Sequence, residues 1–272
     1  MVVQHNMQAA NTNRQLGITS SAQGKATEKL ASGYKINRAA DDAAGLSISE
    51  KMRSQIRGLD RASTNASDGI SVVQTAEGAL NEVHAMLQRM NELATQAAND
   101  TNTSVDRNAL KAELDELSSE INRISSSTQF NTMNLLDGTF TGKNLQVGAL
   151  SGQNIEINIS SLKATDMGVG TAQLIITSFE SAGNTMARVQ SAIDMVSTQR
   201  SKLGATQNRL EHTIANLDTT SENTSASESR IRDTDMAKQM VEYSKNNILV
   251  QAGQSMLAQA NQSTQGVLSL LQ

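Results

Sequence analysis

An unbroken run of apolar residues at steps of three and four is the feature that most restricts the fold of this chain. The run comprises Val73, Ala76, Leu80, Val83, Leu87, Met90, Ala94 and Ala97. This spacing is typical of a coiled-coil seam. The chain has no proline in 272 residues, so no proline interrupts a long helix. The pattern predicts one helix over about residues 43–98, roughly 80 Å long at 1.5 Å per residue.

Two further helical patterns follow the turn-forming residues 99–103. The second seam comprises Leu110, Leu114, Leu117, Ile121 and Ile124, and the third comprises Met186, Val189, Ile193, Val196, Leu203, Leu210, Ile214 and Leu217. Arg200 and Gln207 occupy positions of the third seam where leucine is expected. Two interpretations are open: a half-exposed stretch in which the Arg200 side chain snorkels to solvent, or a polar pair that specifies register or partner.

The helical period disappears between residues 130 and 170. There, the segments NLQVGAL and NIEINIS alternate as strands do, and the dipeptides DG at 137–138 and SG at 151–152 favour turns. One or two hairpins are predicted. The fold class is therefore mostly α: an elongated, coiled-coil-like helical rod with a small β-hairpin region, together with paired N- and C-terminal helices.

Both ends of the chain are nearly free of ionisable side chains. Residues 246–272 contain no Asp, Glu, Lys, Arg or His, and residues 1–24 contain only His5 and Arg14. Neither end has the apolar run that a bilayer span requires, so no membrane insertion is expected. An isolated helix of this kind is marginal in water. We therefore expect the two ends to pack against each other and against neighbouring copies of the chain.

Several functional classes find no support in the composition. Cysteine is absent, and the three histidines, His5, His84 and His212, are dispersed and lie in no metal-ligand frame. No catalytic residue, metal or cofactor is expected, and the chain is not expected to be an enzyme. A net charge of -4 without a dense Lys/Arg run argues against nucleic-acid binding. The opening MVVQHNMQAANTN is unlike a cleaved secretory signal.

Four segments carry a resemblance to a known family. In chain order they read LASGYKINRAADDAAGLSISEKMRSQIRGL, DGISVVQTAEGALNEV, STQFNTMNLLDG and SESRIRDTDMAKQMVEYSKNNILVQAGQSMLAQANQ. They resemble bacterial flagellin, in the right order and over nearly the whole chain. The resemblance implies a structural subunit that polymerises with copies of itself into the flagellar filament for swimming motility. The outer variable domains of the family are absent, because few residues separate LLDG from the third seam.

The resemblance also implies a domain division, a route and partners. Residues 1–42 and 232–272 are the terminal helices of an inner-tube polymerisation domain, disordered in the monomer, and residues 43–231 are the rod domain with its β-hairpin region at about 130–170. The chain is expected to be secreted by type III export to the extracellular flagellum, with an export chaperone shielding the C-terminal helix. Polymerisation or chaperone binding is expected of Leu249, Met256, Leu257, Val267, Leu268, Leu270 and Leu271.

Two alternative assemblies remain open. A flagellar hook-filament junction protein shares the terminal helices but is expected at few copies. A free-standing coiled-coil adaptor would form closed oligomers instead of fibres. The abundance of the protein and the form of its polymer distinguish these alternatives from a flagellin.

A receptor-binding patch is implied on the long helix. The segment LQRMNELATQAAN resembles the flagellin stretch that animal Toll-like receptor 5 recognises, and the matching positions are Gln88, Arg89 and Leu93, with Glu113 on the adjoining helix. Leu93 lies outside the step from Met90 to Ala94, which predicts an exposed leucine one turn from the arginine. By periodicity alone, the same leucine equally well widens the buried stripe.

Overall fold

The computed structural model describes the backbone of residues 6–269 and the side chains of residues 6–263. Within that range the chain forms five helices and four short strands. In order, they are α1 (Met7–Ser32), α2 (Ala43–Ala97), α3 (Ser104–Ser127), β1 (Gln129–Phe130), β2 (Met133–Asn134), β3 (Lys143–Gln146), β4 (Asn154–Ile157), α4 (Phe179–Arg232) and α5 (Met236–Ser269). The mostly α class and the small hairpin region are confirmed.

The chain divides into two compact units, and the long helices α2 and α4 each contribute to both. The terminal unit comprises Met1–Ser54 and Asn223–Gln272, and the central unit comprises Gln55–Glu222. The boundary in α2 lies after the one expected for the polymerisation and rod domains, and the boundary in α4 lies before it. The functional division at residues 1–42, 43–231 and 232–272 remains a prediction.

The core of the central unit follows the predicted seam of α2. Every member of that seam, from Val73 to Ala97, is at most 1% exposed. Leu114 and Ile121 of α3 and Val196 of α4 complete the same apolar cluster. Full burial of a side chain of this size stabilises by about 1.5–3 kcal/mol, so this cluster is the main source of stability in the central unit.

The sequence at the start of α3 explains why the chain turns there and resumes as a helix. Thr103 is the N-cap, and its hydroxyl accepts a hydrogen bond from the Asp106 amide while the Asp106 carboxylate accepts one from the Thr103 amide. This capping box satisfies two amides that the helix itself leaves unpaired. It places α3 back alongside the end of α2.

The buried stripe of α4 contains most of the predicted third seam, namely Val189, Val196, Leu203, Leu210 and Leu217, but differs from it at other turns. Thr185, Ala192 and Gln199 are buried where the pattern predicted Met186, Ile193 and Arg200. The Gln199 side chain, 4% exposed, donates a hydrogen bond to the Asn158 carbonyl at 3.0 Å. The polar position inside the core is therefore Gln199, which the periodicity did not identify.

Arg200 and Gln207 have separate partners at the edge of the core. The Arg200 guanidinium lies 3.6 Å from the Glu77 carboxylate of α2, and its side chain is 31% exposed. Gln207 donates to Glu211, one turn further along the same helix. This arrangement favours the half-exposed interpretation, with Arg200 extending towards solvent.

Two antiparallel hairpins occupy the region between α3 and α4, as predicted. β1 pairs with β2, and β3 pairs with β4 in the register Leu145↔Ile155. Gly152, in the predicted turn, has φ +86, a conformation that glycine adopts without strain. The turn between β1 and β2 instead uses Asn131 and Thr132, both at positive φ, and this turn contains no glycine that would predict it.

Candidate assembly and binding surfaces

The terminal helices pair antiparallel within the terminal unit. At one end the Asn6 side-chain amide donates to the Ala260 carbonyl at 3.0 Å, while its carbonyl oxygen caps α1 by accepting from the Ala9 amide. Gly253 of α5 lies against α1, since a Cβ there would meet the Leu16 side chain at 3.2 Å. Small residues thus allow the two helices to approach closely.

The other end of this helix pair is held by a cluster around Tyr34. Arg53 donates to the Glu228 carboxylate at 2.8 Å and to the Tyr34 hydroxyl at 2.9 Å. The guanidinium groups of Arg53 and Arg232 lie 5.1 and 4.9 Å from the centre of the Tyr34 ring, within cation–π range. The hydrogen bond that Arg53 donates to the Tyr34 hydroxyl is the main cause that raises the pKa of Arg53.

Sequence reasoning missed this cluster because its members are far apart in the chain. Backbone hydrogen bonds add to it: Lys35 donates to the Arg232 carbonyl at 2.7 Å, and Thr234 donates to the Gly33 carbonyl at 3.0 Å. The cluster therefore fixes the points at which α1 ends and α5 begins. The one signal that the sequence offered was that the chain has only two tyrosines, which makes each of them a candidate for a specific contact.

Helix α5 is apolar on faces that α1 does not cover. Its exposed apolar side chains are Met236, Met240, Val241, Ile248, Leu249 and Met256, which are between 45% and 69% exposed. At about 100° per residue these positions point in several directions around the helix. Apolar side chains on several sides of a helix are normally enclosed by protein, whereas α1 covers only one side of α5.

Charge is absent from the later part of α5, whereas its first turns carry Lys238, Glu242 and Lys245. Beyond Lys245 no ionisable residue follows. On α1, Met7 and Ile18 add exposed apolar surface at 72% and 58% exposure. We define the assembly surface as the exposed faces of α1 and of α5 from Met236 onward. Its composition suits contact with other protein better than contact with water.

The residues expected for polymerisation or chaperone binding divide into two groups. Leu249 and Met256 are 45% and 58% exposed on the assembly surface, and Leu257 is half-buried. Four others lie outside the residues whose side chains are described: Val267, Leu268, Leu270 and Leu271.

Three of the four expected receptor-binding residues form an exposed group on the central unit. Arg89 of α2 donates to the Glu113 carboxylate of α3 at 2.9 and 3.0 Å, and to Glu92 at 3.1 Å. These hydrogen bonds, those to Glu113 first, raise the pKa of Arg89. Gln88 is exposed beside them, and its amide lies 3.1 Å from a ring nitrogen of His84. We call Gln88, Arg89 and Glu113 the arginine patch.

The expectation that Leu93 is an exposed member of this patch is wrong. Its exposure is 1%, and it belongs to the main apolar cluster of the central unit. The buried stripe is wide here because α2 packs against more than one element, so both Leu93 and its neighbour Ala94 are enclosed. The alternative interpretation, a widened core, is the correct one.

The described residues also limit other kinds of site. Among residues 6–269, no group of three or more His, Cys, Asp or Glu side chains could hold a metal ion. No helix in that same range has both the length and the apolar character needed to cross a membrane.

Family comparisons cover both halves of the chain. The family described as bacterial flagellin N-terminal helical region matches residues 3–141, and the bacterial flagellin C-terminal helical region matches residues 186–271. The segment between the two matches contains the β3–β4 hairpin. Each match thus includes one of the terminal helices together with part of the central unit.

Curated relatives match along their full length. The chain is 54% identical over 271 residues to a flagellin of Halalkalibacterium halodurans and 49% identical over 304 residues to a flagellin of Bacillus subtilis, covering 100% of each. The crystal structure of Bacillus cereus flagellin is similar with a TM-score of 0.51 at 30% identity, over 57% of this chain and 88% of that one. Two family matches and these full-length relatives establish that the chain belongs to the bacterial flagellin family.

Proposed function

We propose that the chain polymerises into the flagellar filament through the assembly surface, with residues 1–42 and 232–272 enclosed by neighbouring subunits in an inner tube. As a flagellin, the chain is a structural filament subunit. The choice of surface rests on the exposure of α5. This helix has apolar side chains on several faces, no charge beyond Lys245, and only one side covered by α1. Enclosure by other copies would remove that apolar surface from water.

A charge placed on the assembly surface tests this proposal. Leu249→Glu places a carboxylate where neighbouring subunits would enclose it, and an unpaired buried ion costs several kcal/mol. We expect this variant to form no filaments when parent filament fragments are used as seeds, as followed by sedimentation and electron microscopy. Leu249→Met, which conserves volume, is the matched control and should polymerise. Equal critical concentrations for Leu249→Glu and the parent would overturn the proposal.

The same polymerisation distinguishes the flagellin from the hook-filament junction alternative. A flagellin is the major protein of purified filaments, whereas a junction protein is present at few copies. Quantitative mass spectrometry of sheared filaments should give this chain as the main component. A trace amount beside another major flagellin would favour the junction protein.

We further propose that the arginine patch is a contact for animal Toll-like receptor 5. The supporting observation is that Arg89 is half exposed yet held in place by Glu113 and Glu92, which lowers the entropy lost when a partner binds it. Arginine is also enriched among the residues that dominate interfaces. Leu93, being buried, acts in this proposal only by supporting the helix.

The receptor proposal has a matched control on the neighbouring helix. Arg89→Ala should weaken binding of the monomer to the receptor ectodomain by about 1–3 kcal/mol, which is about 5- to 150-fold in Kd. Arg123, which pairs with Glu120 three residues away and is 63% exposed, provides the control substitution Arg123→Ala. We expect that variant to bind like the parent. Equal binding by Arg89→Ala would remove the assignment.

Secretion and chaperone binding complete the proposed function. We expect the chain to leave the cell by type III export, with a flagellin export chaperone covering the C-terminal helix around Leu249, Met256 and Leu257. The exposed apolar side chains of α5 support this, because they would otherwise associate prematurely. Deletion from Gly266 onward should reduce chaperone binding and polymerisation together. Retention of both would indicate that the tail does not contribute.

A further inference from the structure

Methionine is over-represented on the assembly surface. Four methionines there are strongly exposed: Met7, Met236, Met240 and Met256, at 72%, 48%, 51% and 58%. Met90 and Met167 of the central unit are instead buried, at 0% and 3%. Accessible thioethers oxidise readily, whereas those enclosed in a packed core are shielded from oxidants. Among the residues whose side chains are described, the four most exposed methionines thus lie on the assembly surface.

We propose that these four methionines form an oxidation-sensitive site that controls whether the unassembled chain can polymerise. The inference rests on the proposed assembly surface. The oxidant that reacts at this site is a peroxide. Oxidation blocks assembly, and assembly in turn protects the sulfurs from oxidation.

The reaction needs no group other than the thioether and hydrogen peroxide. The methionine sulfur attacks one peroxide oxygen, so an S–O bond forms as the O–O bond breaks. Sulfur is oxidised by two electrons and the peroxide is reduced. The proton of the transferred hydroxyl passes to the departing hydroxide, which leaves as water, and methionine sulfoxide remains.

The sulfoxide changes the physical character of the surface. It converts a flexible apolar side chain into a polar one with a strong acceptor oxygen. An acceptor enclosed without a donor carries a desolvation penalty. Past Lys245, α5 offers no cationic side chain that could pair with it. Arg14 of α1 lines the same pocket as Met256, and Lys238 and Lys245 lie near Met236 and Met240 in the sequence, so each sulfoxide is penalised to the extent that a neighbouring subunit separates it from these donors.

Graded oxidation of the unassembled full-length chain tests the proposal. Hydrogen peroxide is added, sulfoxides are located by peptide mass spectrometry, and seeded polymerisation is then measured. We expect Met7, Met236, Met240 and Met256 to oxidise before Met90 and Met167, and the critical concentration to rise about tenfold or more. Treatment with the two methionine sulfoxide reductases should restore assembly, because these enzymes reverse this modification.

A substituted chain isolates these four positions from the rest of the molecule. The variant with Met7→Leu, Met236→Leu, Met240→Leu and Met256→Leu keeps the volume and apolar character of each site. It also retains Met133 and Met195, which are 41% and 42% exposed on the central unit. We expect peroxide to leave its critical concentration unchanged, measured against the same variant before treatment. Loss of assembly by the oxidised variant would overturn the proposal, because it would place the damage elsewhere.

Preassembled filaments separate this inference from the function on which it rests. If the four methionines oxidise as fast in filaments as in unassembled chains, the assembly surface itself is assigned wrongly. If they are protected in filaments but the fully oxidised chain still assembles like the parent, only the oxidation site is refuted. Protection in filaments together with loss of assembly after oxidation supports both.

Discussion

Replacing Leu93 by alanine separates a core residue from a receptor contact. The side chain is 1% exposed and belongs to the same apolar cluster as Leu114 and Leu174. Truncation of a buried leucine removes its burial energy and leaves a cavity, at a total of about 2–5 kcal/mol. At about 2–4 °C per kcal/mol for a domain of this size, a loss of about 3 kcal/mol predicts a melting temperature about 6–12 °C lower.

Thermal unfolding of the unassembled chain, followed by circular dichroism at 222 nm, measures this directly. Two controls belong beside it. Leu93→Met conserves volume and should cost less than about 1.5 kcal/mol. Arg89→Ala removes two solvent-exposed ion pairs and should melt close to the parent, because exposed pairs contribute little to stability. If Leu93→Ala melts with the parent, the side chain is not part of the core and the account of the wide buried stripe is wrong.

Three further predictions test the packing and electrostatics of the central unit. Gly78→Ala lies within α2, and nothing lies within 4 Å of the added Cβ, so it should raise the free energy of unfolding by about 0.5–1 kcal/mol. Gly58→Ala is the control, because its Cβ would lie 2.8 Å from the β3–β4 turn. Overpacking of about 1–3 kcal/mol should cancel the helix-propensity gain in this control. Ser125→Ala removes the donor to the buried Leu136 carbonyl at 2.9 Å and should cost about 1–3 kcal/mol in denaturant unfolding. Hydrogen bonds from Thr103, the N-cap of α3, lower the pKa of Asp106 from 3.8. The stability that the Asp106 carboxylate adds to the fold is therefore complete above pH 3.8 and is lost as the pH falls through the lower pKa of the folded state. Asp106→Asn should reduce the acid dependence of the melting temperature, and an unchanged pH profile would contradict this.

The helices could be predicted from the sequence because their patterns are long and local. The seam of α2 repeats without a break, and its predicted end differs from the observed one, Ala97, by a single residue. The turn before α3 could be predicted from the polar residues 99–103, and the β3–β4 hairpin from alternation and a glycine-containing turn. These signals come from residues that are close in the sequence, so the predictions do not depend on how distant elements pack.

Features that depend on several elements at once were harder to predict. The buried face of α4 is set by how α2 and the hairpin region contact it, so periodicity chose Arg200 where Gln199 is buried. The prediction that Leu93 is exposed failed for the same reason. The Tyr34 cluster joins residues that are up to 198 positions apart, from Tyr34 to Arg232, and a single sequence gives no indication that they meet.

The candidate surfaces show the same contrast. The absence of charge from residue 246 onward is visible in the sequence alone and already suggested an enclosed end. The structure adds which faces of α5 remain uncovered by α1, and hence which side chains another subunit would contact. It also reveals that Arg89 is braced by two carboxylates, one of them from a different helix, which spacing within α2 does not predict.

Amide hydrogen exchange on the same chain before and after polymerisation tests the central claim, that other subunits enclose the terminal helices. The account predicts rapid exchange over residues 6–32 and 236–263 in the unassembled chain and strong protection of both ranges in filaments, while the buried part of α2 is protected in both states. Equal protection of the terminal helices in the isolated chain and in the filament would contradict it.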